Sequence, residues 1–419
     1  MNATLTASAA ASPPLRSKLV AAAAGFWGLV VFLPVGVNYL ALLLLLLAVM
    51  MQGQLLARWE RVRRHPVFWP LVFFVVWTLL VLTLQPVIYR ETPTNLWHGL
   101  RIVVTVGLAV SLSRSETFAA LKGLAAAFAL VVVLLAGYSL GVIPDADFWR
   151  HLTHPATNKT IAAAILFSML AASAWVVAVN HSGAKRMWAL GVVFTALVVV
   201  MLVLEKRTAM LGFVLALVAV TVHQLRYQRL RLAGGLLVIG LFAGGLYAGL
   251  PELRAKLDQG VAEVESALQG HVANESWNNR IQMIRHTSNM MLEKPLTGWG
   301  IGSWNDQWRQ RVPAWLGEFN MPHNDVLWMG AQAGVPGALA WLVLMLSAWW
   351  AAWCMPDWRG RIAFAVAVIA TFSAVVNNGT RDATLGLPLL WLMGVALAYA
   401  RPEAVDPALA TGTGARGAR

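Results

Sequence analysis

Long runs of apolar residues alternate with short polar connections along almost the whole chain. Runs of roughly 20 residues are the length that an α-helix needs to cross about 30 Å of hydrocarbon. The runs are continuous and lack strict alternation, which favours helices over a membrane β-barrel. The pattern predicts about twelve transmembrane spans, at 19–35, 37–53, 67–85, 96–113, 117–139, 160–179, 187–204, 208–224, 232–250, 326–353, 361–376 and 385–400.

One long polar interval, residues 251–325, interrupts this pattern between the ninth and tenth predicted spans. A short surface helix is predicted over 252–268. A second helix is predicted from a cap at Asn274 or Ser276 to Lys294, because a proline follows directly. The rest of the chain therefore reads as a scaffold that holds this segment at the membrane surface.

Four tryptophans crowd the end of the polar interval: Trp299, Trp304, Trp308 and Trp315. Tryptophans in such a position usually anchor a protein at the membrane–water interface. Stacking against sugar rings is the alternative. The pattern favours interface anchors.

Composition supports the membrane assignment. Hydrophobic residues make up 58% of the chain, charged residues 12%, and the mean hydropathy is +0.64. Soluble domains are nearer to a quarter charged, so the chain is predicted to be an all-α integral membrane protein. The single cysteine, Cys354, excludes an internal disulfide framework. The net charge of +13 does not indicate nucleic-acid binding, because most basic residues fall in short loops.

The basic residues predict the orientation. They gather in the loops after even-numbered spans and after the last span: Arg58, Arg61, Arg63, Arg64, Arg114, Lys185, Arg186, Arg226, Arg229, Arg231, Arg359, Arg361 and Arg401. The positive-inside rule makes these loops cytoplasmic. The N-terminal tail (1–18) and the C-terminal tail (401–419) are then cytoplasmic, and the C-terminal tail is predicted to be disordered. Between the tails lie two membrane regions, 19–250 with spans one to nine and 326–400 with spans ten to twelve. The 251–325 segment faces the periplasm of a bacterial inner membrane.

His323 is the sharpest candidate for chemistry. It precedes a span on the outer side, and Asn324 and Asp325 are placed to orient its ring. A histidine is the usual side chain for taking a proton from a hydroxyl near neutral pH. The alternative is a structural role at a helix start, with Asn324 or Asp325 as the N-cap.

Two arginines form a second candidate group. Arg207 lies in a tight turn directly after an apolar run, at the outer membrane boundary, and Arg280 lies on the second helix of the polar interval. A guanidinium is a planar fork of donors that matches phosphate oxygens. The phosphates of a lipid-linked diphosphate would lie at the same depth. The alternative is contact with lipid headgroups.

Three other sequence patterns do not indicate a functional site. Asp145 and Asp147 resemble a paired-acid metal motif, but no further acid joins them, and they are predicted to lie in a solvated turn. His151 and His154 lack further ligands. No Walker-type loop is present, so ATP-driven transport is not indicated. We predict no metal site and no cofactor.

The motif around His323 resembles a known family. His323-Asn324, Leu327, Gly334 and Gly337 reproduce the His-Asn-x-x-Leu…Gly-x-x-Gly pattern of the O-antigen ligase and polymerase superfamily.

Upstream residues extend the resemblance. Arg280, followed by Pro295 and a Gly-x-Gly-x-Gly run at 298–302, is similar to the approach to that family's large periplasmic loop. Arg207 is similar to its other functional arginine. The chain departs from the family at Ile284, where an aromatic residue is common, and at Lys206, where a serine is common.

The resemblance implies a metal-independent, inverting glycosyltransferase with a GT-C-like membrane fold. It implies that His323 is the base and that Arg207 and Arg280 hold the diphosphate. The partners would be an undecaprenyl diphosphate-linked polysaccharide, a lipid A-core acceptor and membrane lipids, with the protein a monomer. The further candidate substrate-binding residues are Lys206, Asn278, Arg285, Gly300 and Asn324.

Two alternatives stay open. An O-antigen polymerase, or an oligosaccharyltransferase that modifies protein, would use the same residues with a different acceptor. A transporter for a lipid-linked substrate would need polar residues deep within the spans and usually repeated halves. The predicted spans are almost purely apolar at their centres, which disfavours the transporter.

Overall fold

A computed structural model describes residues 15–154, 159–271 and 273–402. All regular secondary structure in these ranges is helical. Most of the predicted tails, 1–14 and 403–419, lie outside the described residues. In chain order the helices are α1 (Leu15–Val30), α2 (Val35–Gln52), α3 (Leu55–Arg63), α4 (Phe68–Leu84), α5 (Thr92–Ser111), α6 (Arg114–Ser139), α7 (Arg150–Thr153), α8 (Lys159–Asn180), α9 (Gly183–Val198), α10 (Arg207–Leu225), α11 (Arg229–Gly249), α12 (Pro251–Leu268), α13 (Ser276–Glu293), α14 (Trp304–Arg309), α15 (Asp325–Trp353), α16 (Trp358–Asn377) and α17 (Ala383–Ala400).

The number of spans is lower than predicted. Every predicted span falls on a helix, but nine described helices are long and apolar enough to cross a membrane, or ten if the pair α3–α4, bent by 92°, is one span. Two predicted spans do not qualify. The apolar part of α1 is short, at Lys18–Val30, and α5 carries the buried Arg101 together with His98.

Helix α17 lies at the centre of the bundle. It is apolar on every side, and 83% of its residues are buried, as expected for a helix surrounded by others. Trp391 of α17 stacks on Trp27 of α1, with ring centroids 4.2 Å apart. By contrast, α11 lies at the edge, and no residue of this fully described helix is buried.

Helix α15 is broken at Ala333 and Gly334, where the backbone leaves the helical conformation. A break inside a membrane frees peptide groups that need new partners. The loop that follows α13 supplies them. Its hydrogen bonds to the break run from Trp299 N to Ala331 O (2.9 Å), Gly300 N to Gln332 O (3.0 Å) and Val335 N to Pro295 O (2.7 Å).

The polar segment has a small core of its own. The predicted helices are present as α12 and α13, within one residue of the predicted ends. Trp304 and Trp308 are buried and stacked, with centroids 5.0 Å apart, and Trp304 Nε1 donates to Thr287 Oγ1 at 3.2 Å. The predicted interface-anchor role is therefore wrong for these two tryptophans, because their side chains pack inside the segment.

Candidate active site

The polar segment and the bundle enclose a cavity of about 410 Å³. Its walls come from the start of α8, from α13, from the loop before α15 and from the junction of α16 and α17. All these parts lie at helix ends, so the cavity is at one end of the bundle. The lining residues are Ile161, Ala162, Ser276, Asn279, Arg280, Met283, Glu318, Phe319, Asn320, Met321, His323, Asn377, Asp382, Thr384 and Leu385.

His323 is presented to this cavity by a strained backbone. Its φ is +52°, in the left-handed region that costs a non-glycine residue about 1–2 kcal/mol. The next residue, Asn324, is the N-cap of α15, and its Oδ1 accepts a 3.0 Å hydrogen bond from Leu327 N. The chain thus turns sharply at His323 and enters the helix one residue later.

The His323 ring is free to act on a ligand. Its Nδ1 is buried and has no hydrogen-bond partner among the described residues. Burial, and then the charges of Arg280 and Arg381, lower the pKa of His323 from 6.5 to about 4. The imidazole is therefore neutral at physiological pH, the state in which it can accept a proton.

Arg280 shares the cavity with His323. Its Nη2 donates to Oδ1 of Asn377 at 3.3 Å, and its guanidinium lies 5.1 Å over the ring of Trp277. Burial, then the charge of Arg207, lowers the pKa of Arg280, and Glu263 raises it. Because a guanidinium stays protonated in proteins, Arg280 brings a desolvated positive charge to the cavity wall.

Arg207 lies beside this cavity rather than in its wall. It is the first residue of α10, and its Nη1 donates to the carbonyl of Lys256. Its side chain lines two neighbouring cavities, of about 370 and 420 Å³. A Cβ at Gly260 would lie 3.0 Å from Arg207 Nη1 and 3.1 Å from Trp277 Nε1. Arg207 and Trp277 therefore both approach Gly260, which has no side chain to displace them, and Arg280 lies over the ring of the same Trp277.

Three further predicted residues lie outside the wall of the main cavity, in the part of the chain that the structure describes. Lys206 precedes α10, and burial lowers its pKa. Asn278 is buried and donates to the carbonyl of His271 at 2.7 Å. Arg285 is on the exposed side of α13. Nothing in these positions brings the three side chains to the cavity.

Gly300 and Asn324, the other two, have structural positions. Gly300 has φ +100°, and a Cβ there would lie 3.0 Å from Gln85 Oε1. Gly298 and Gly302 also have positive φ, and a Cβ at either would come within 2.6 Å of the backbone of α15 or α5. The three glycines therefore allow the loop to pack closely onto the bundle. Asn324 Oδ1 already accepts the capping hydrogen bond from Leu327 N.

Sequence reasoning missed the loop between α16 and α17. Asn377 and Asp382 line the cavity, and Arg381 acts on the pKa of His323. Asp382 is also the N-cap of α17, accepting from Thr384 N at 2.9 Å. The signal was a run of polar residues, 377–382, between two apolar spans.

The predicted turn at Asp145 and Asp147 carries ion pairs to Arg150, at 3.2 and 2.6 Å. His151 Nε2 lies 2.7 Å from the carbonyl oxygen of Phe32. Within the described ranges no group of three or more His, Cys, Asp or Glu side chains could hold a metal ion. The permanent positive charge in the cavity wall is that of Arg280, and Glu318 and Asp382 also line the cavity.

Part of the chain matches a known protein family. Residues 190–342 match the sequence model of the family described as O-antigen ligase. The matched stretch contains Arg207, Arg280 and His323, and ends within α15. No curated protein matches the chain.

Proposed function

The chain is a member of the O-antigen ligase and polymerase superfamily, as the match over residues 190–342 indicates, and we propose that it is an O-antigen ligase. It would transfer O-antigen polysaccharide from undecaprenyl diphosphate to the lipid A-core oligosaccharide, in lipopolysaccharide biosynthesis. The transfer would take place at the periplasmic face of the inner membrane, with both chain termini in the cytoplasm and the protein acting as a monomer.

One observation carries the proposal: Arg280 and His323, from distant parts of the chain, line the same cavity. A transfer reaction of this kind needs a base for the incoming hydroxyl and positive charge for the departing diphosphate. The cavity offers both at one end of the bundle. A cavity at one end supports transfer at one membrane face rather than passage across the bilayer.

His323 would be the general base. The neutral ring takes the proton of an acceptor hydroxyl that lies within about 3 Å in the productive pose. The hydroxyl oxygen then forms a bond with the anomeric carbon of the donor sugar. The bond between that carbon and the phosphate oxygen breaks, and its electron pair leaves with undecaprenyl diphosphate. Attack from the face opposite the leaving group inverts the anomeric configuration.

Arg280 would stabilise the charge that develops on the departing diphosphate. A preformed cation in a desolvated site costs no reorganisation when that charge appears. Arg207 lies near Trp277, over whose ring Arg280 is placed, and would hold the second phosphate. These guanidinium groups would take the role that a divalent metal has in many enzymes that release a diphosphate.

Donor binding would also make His323 a stronger base. The charge of Arg280 lowers the pKa of His323, so an anion that neutralises Arg280 raises that pKa. The base would then gain proton affinity at the moment when the donor is in position. A base works best when its pKa is close to the working pH.

The test is transfer by the purified protein from undecaprenyl diphosphate-linked polysaccharide to lipid A-core, with and without a chelator. Ligation that persists with the chelator supports the proposal. Extension of the lipid-linked chain without ligation would instead identify a polymerase, and transfer to protein an oligosaccharyltransferase, the other members of the superfamily considered. Movement of the intact lipid-linked substrate across vesicles without transfer would identify a transporter.

A further inference from the structure

The loop between α16 and α17 holds Arg381 in a fixed position. Arg101 Nη2 donates to the carbonyl oxygens of Thr380 and Arg381, at 2.7 and 2.6 Å. Asp325 Oδ2 accepts from the backbone nitrogen and the hydroxyl of Thr380, at 2.8 and 2.6 Å. Two buried charged side chains thus fix the backbone that carries Arg381.

The side chain of Arg381 has no such partner. The residue is 7% exposed, and its guanidinium carbon lies 5.4 Å over the ring of Trp328. It makes no hydrogen bond or ion pair with any described residue, and its Nε is buried without an acceptor. Burying a guanidinium without acceptors is costly. Burial lowers the pKa of Arg381 and the charges of Asp325, Glu91 and Asp382 raise it, but none of these carboxylates accepts a hydrogen bond from it. Its donors can therefore take an acceptor from outside the protein.

Arg381 lies near His323, as Arg280 does. The charges of both arginines lower the pKa of His323. Neither guanidinium is among the groups that shift the pKa of the other, among the residues described. Coulomb interactions weaken with distance, so both guanidinium groups lie near His323. Asp382, the next residue after Arg381, lines the cavity.

We propose that Arg381 binds an oxyanion of the acceptor, a phosphate or a carboxylate of its glycan, beside the hydroxyl that His323 deprotonates. This inference rests on the proposed function, in which Arg280 and Arg207 take the donor diphosphate. The acceptor oxyanion then binds at Arg381, next to His323. The planar fork of Arg381 supplies donors matched to either oxyanion, and the fixed loop keeps that fork in place before the acceptor arrives.

The experiment compares KM for donor and acceptor in wild type, Arg381→Gln and Arg381→Lys. Arg381→Gln is expected to raise the acceptor KM about 10- to 100-fold, the factor for a lost hydrogen bond to a charged group, and to leave the donor KM unchanged. Arg381→Lys keeps the positive charge and loses the planar fork of donors. Its acceptor KM should lie between that of wild type and that of Arg381→Gln. Arg309→Gln, at an exposed arginine of α14, is the matched control and should behave as wild type.

Two treatments of the acceptor identify the oxyanion. One treatment removes phosphate from the acceptor with a phosphatase, and the other converts its carboxylates to methyl esters. The treatment that removes the group bound by Arg381 should raise the acceptor KM of the wild-type protein. The same treatment should then have no effect on Arg381→Gln. An acceptor KM unchanged in Arg381→Gln, or raised equally with the donor KM, would overturn the inference. If Arg381→Gln does not fold, an Arg381→Lys protein with the wild-type acceptor KM would overturn it as well.

Thermal stabilisation by the acceptor alone separates this inference from the proposed function. A wild-type protein that is stabilised by the acceptor, while Arg381→Lys is stabilised less, supports the inference without any turnover. Failure of wild type to transfer glycan to any acceptor would reject the proposed function instead. Equal stabilisation of the two proteins by the acceptor would reject the inference about Arg381.

Discussion

Nη2 of Arg280 lies 3.3 Å from Oδ1 of Asn377, the last residue of α16. This hydrogen bond joins the polar segment to the membrane bundle across the cavity wall. Among the described residues, Asn377 is the one that accepts a hydrogen bond from the Arg280 side chain. The other guanidinium donors therefore remain available to a ligand. The position of the Arg280 charge therefore depends on both the polar segment and the membrane bundle.

Replacing Arg280 should remove most of the activity. We expect Arg280→Gln to lower kcat by about 10²–10³, the usual effect of losing a group that stabilises charge in the transition state. Arg280→Lys should restore only part of the rate, because an ammonium lacks the planar fork. The measurement is glycan transfer by purified variants of equal thermal stability. A fully active Arg280→Gln protein would contradict the role.

Replacing His323 should separate activity from stability. His323→Ala and His323→Gly both lack the base and should lose about 10²–10⁴ in rate. Because φ at this position is +52°, glycine should relieve strain that alanine keeps, by about 1 kcal/mol. Thermal unfolding in detergent should therefore show a higher Tm for His323→Gly than for His323→Ala. Equal Tm values would mean that the turn is not strained.

The pH dependence of transfer should report on His323. The base works in its neutral form, so kcat/KM should be constant above the free-enzyme pKa and fall as the pH drops through about 4. In Arg280→Gln the lowering charge is gone, so the acid limb should move to higher pH. Initial rates measured across the pH range at fixed ionic strength locate the acid limb of wild type and that of Arg280→Gln. An acid limb in Arg280→Gln at or below that of wild type would contradict the electrostatic coupling.

The glycine run should matter for folding rather than for binding. Gly298 has φ +64°, and a Cβ there would lie 2.4 Å from the backbone of Gln332. Gly141 has φ +70° with nothing within 4 Å of a Cβ. Both alanine variants should lose about 1–2 kcal/mol to the left-handed conformation, but only Gly298→Ala meets a backbone clash. Folded yield and Tm should fall much further for Gly298→Ala. Equal losses would refute the docking role of the glycine run.

Local pattern was enough to locate most of the helices. The predicted C-terminal end of α13 differs from the observed one by one residue, because an apolar face and a following proline are local signals. The predicted cap at Asn274 or Ser276 was wrong, since the N-cap is Glu275 and its side chain makes no capping hydrogen bond. The helices α1 and α5 are present where spans were predicted, but they fall short of a typical span in length or in apolar composition. At α5 a hydrophobic run carries Arg101, whose partners come from the loop after α16. Hydropathy cannot register such a pairing.

The amino-acid sequence alone determined that this chain is a helical membrane protein with one large polar segment, and it singled out Arg207, Arg280 and His323. Only the tertiary structure decided that Arg280 and His323 share a cavity while Arg207 lines two others. It also gave Gly300 and Asn324 structural positions and revealed Arg381. The physical reason is that periodicity and capping act over a few residues, whereas a site is made by contacts between segments that only packing brings together.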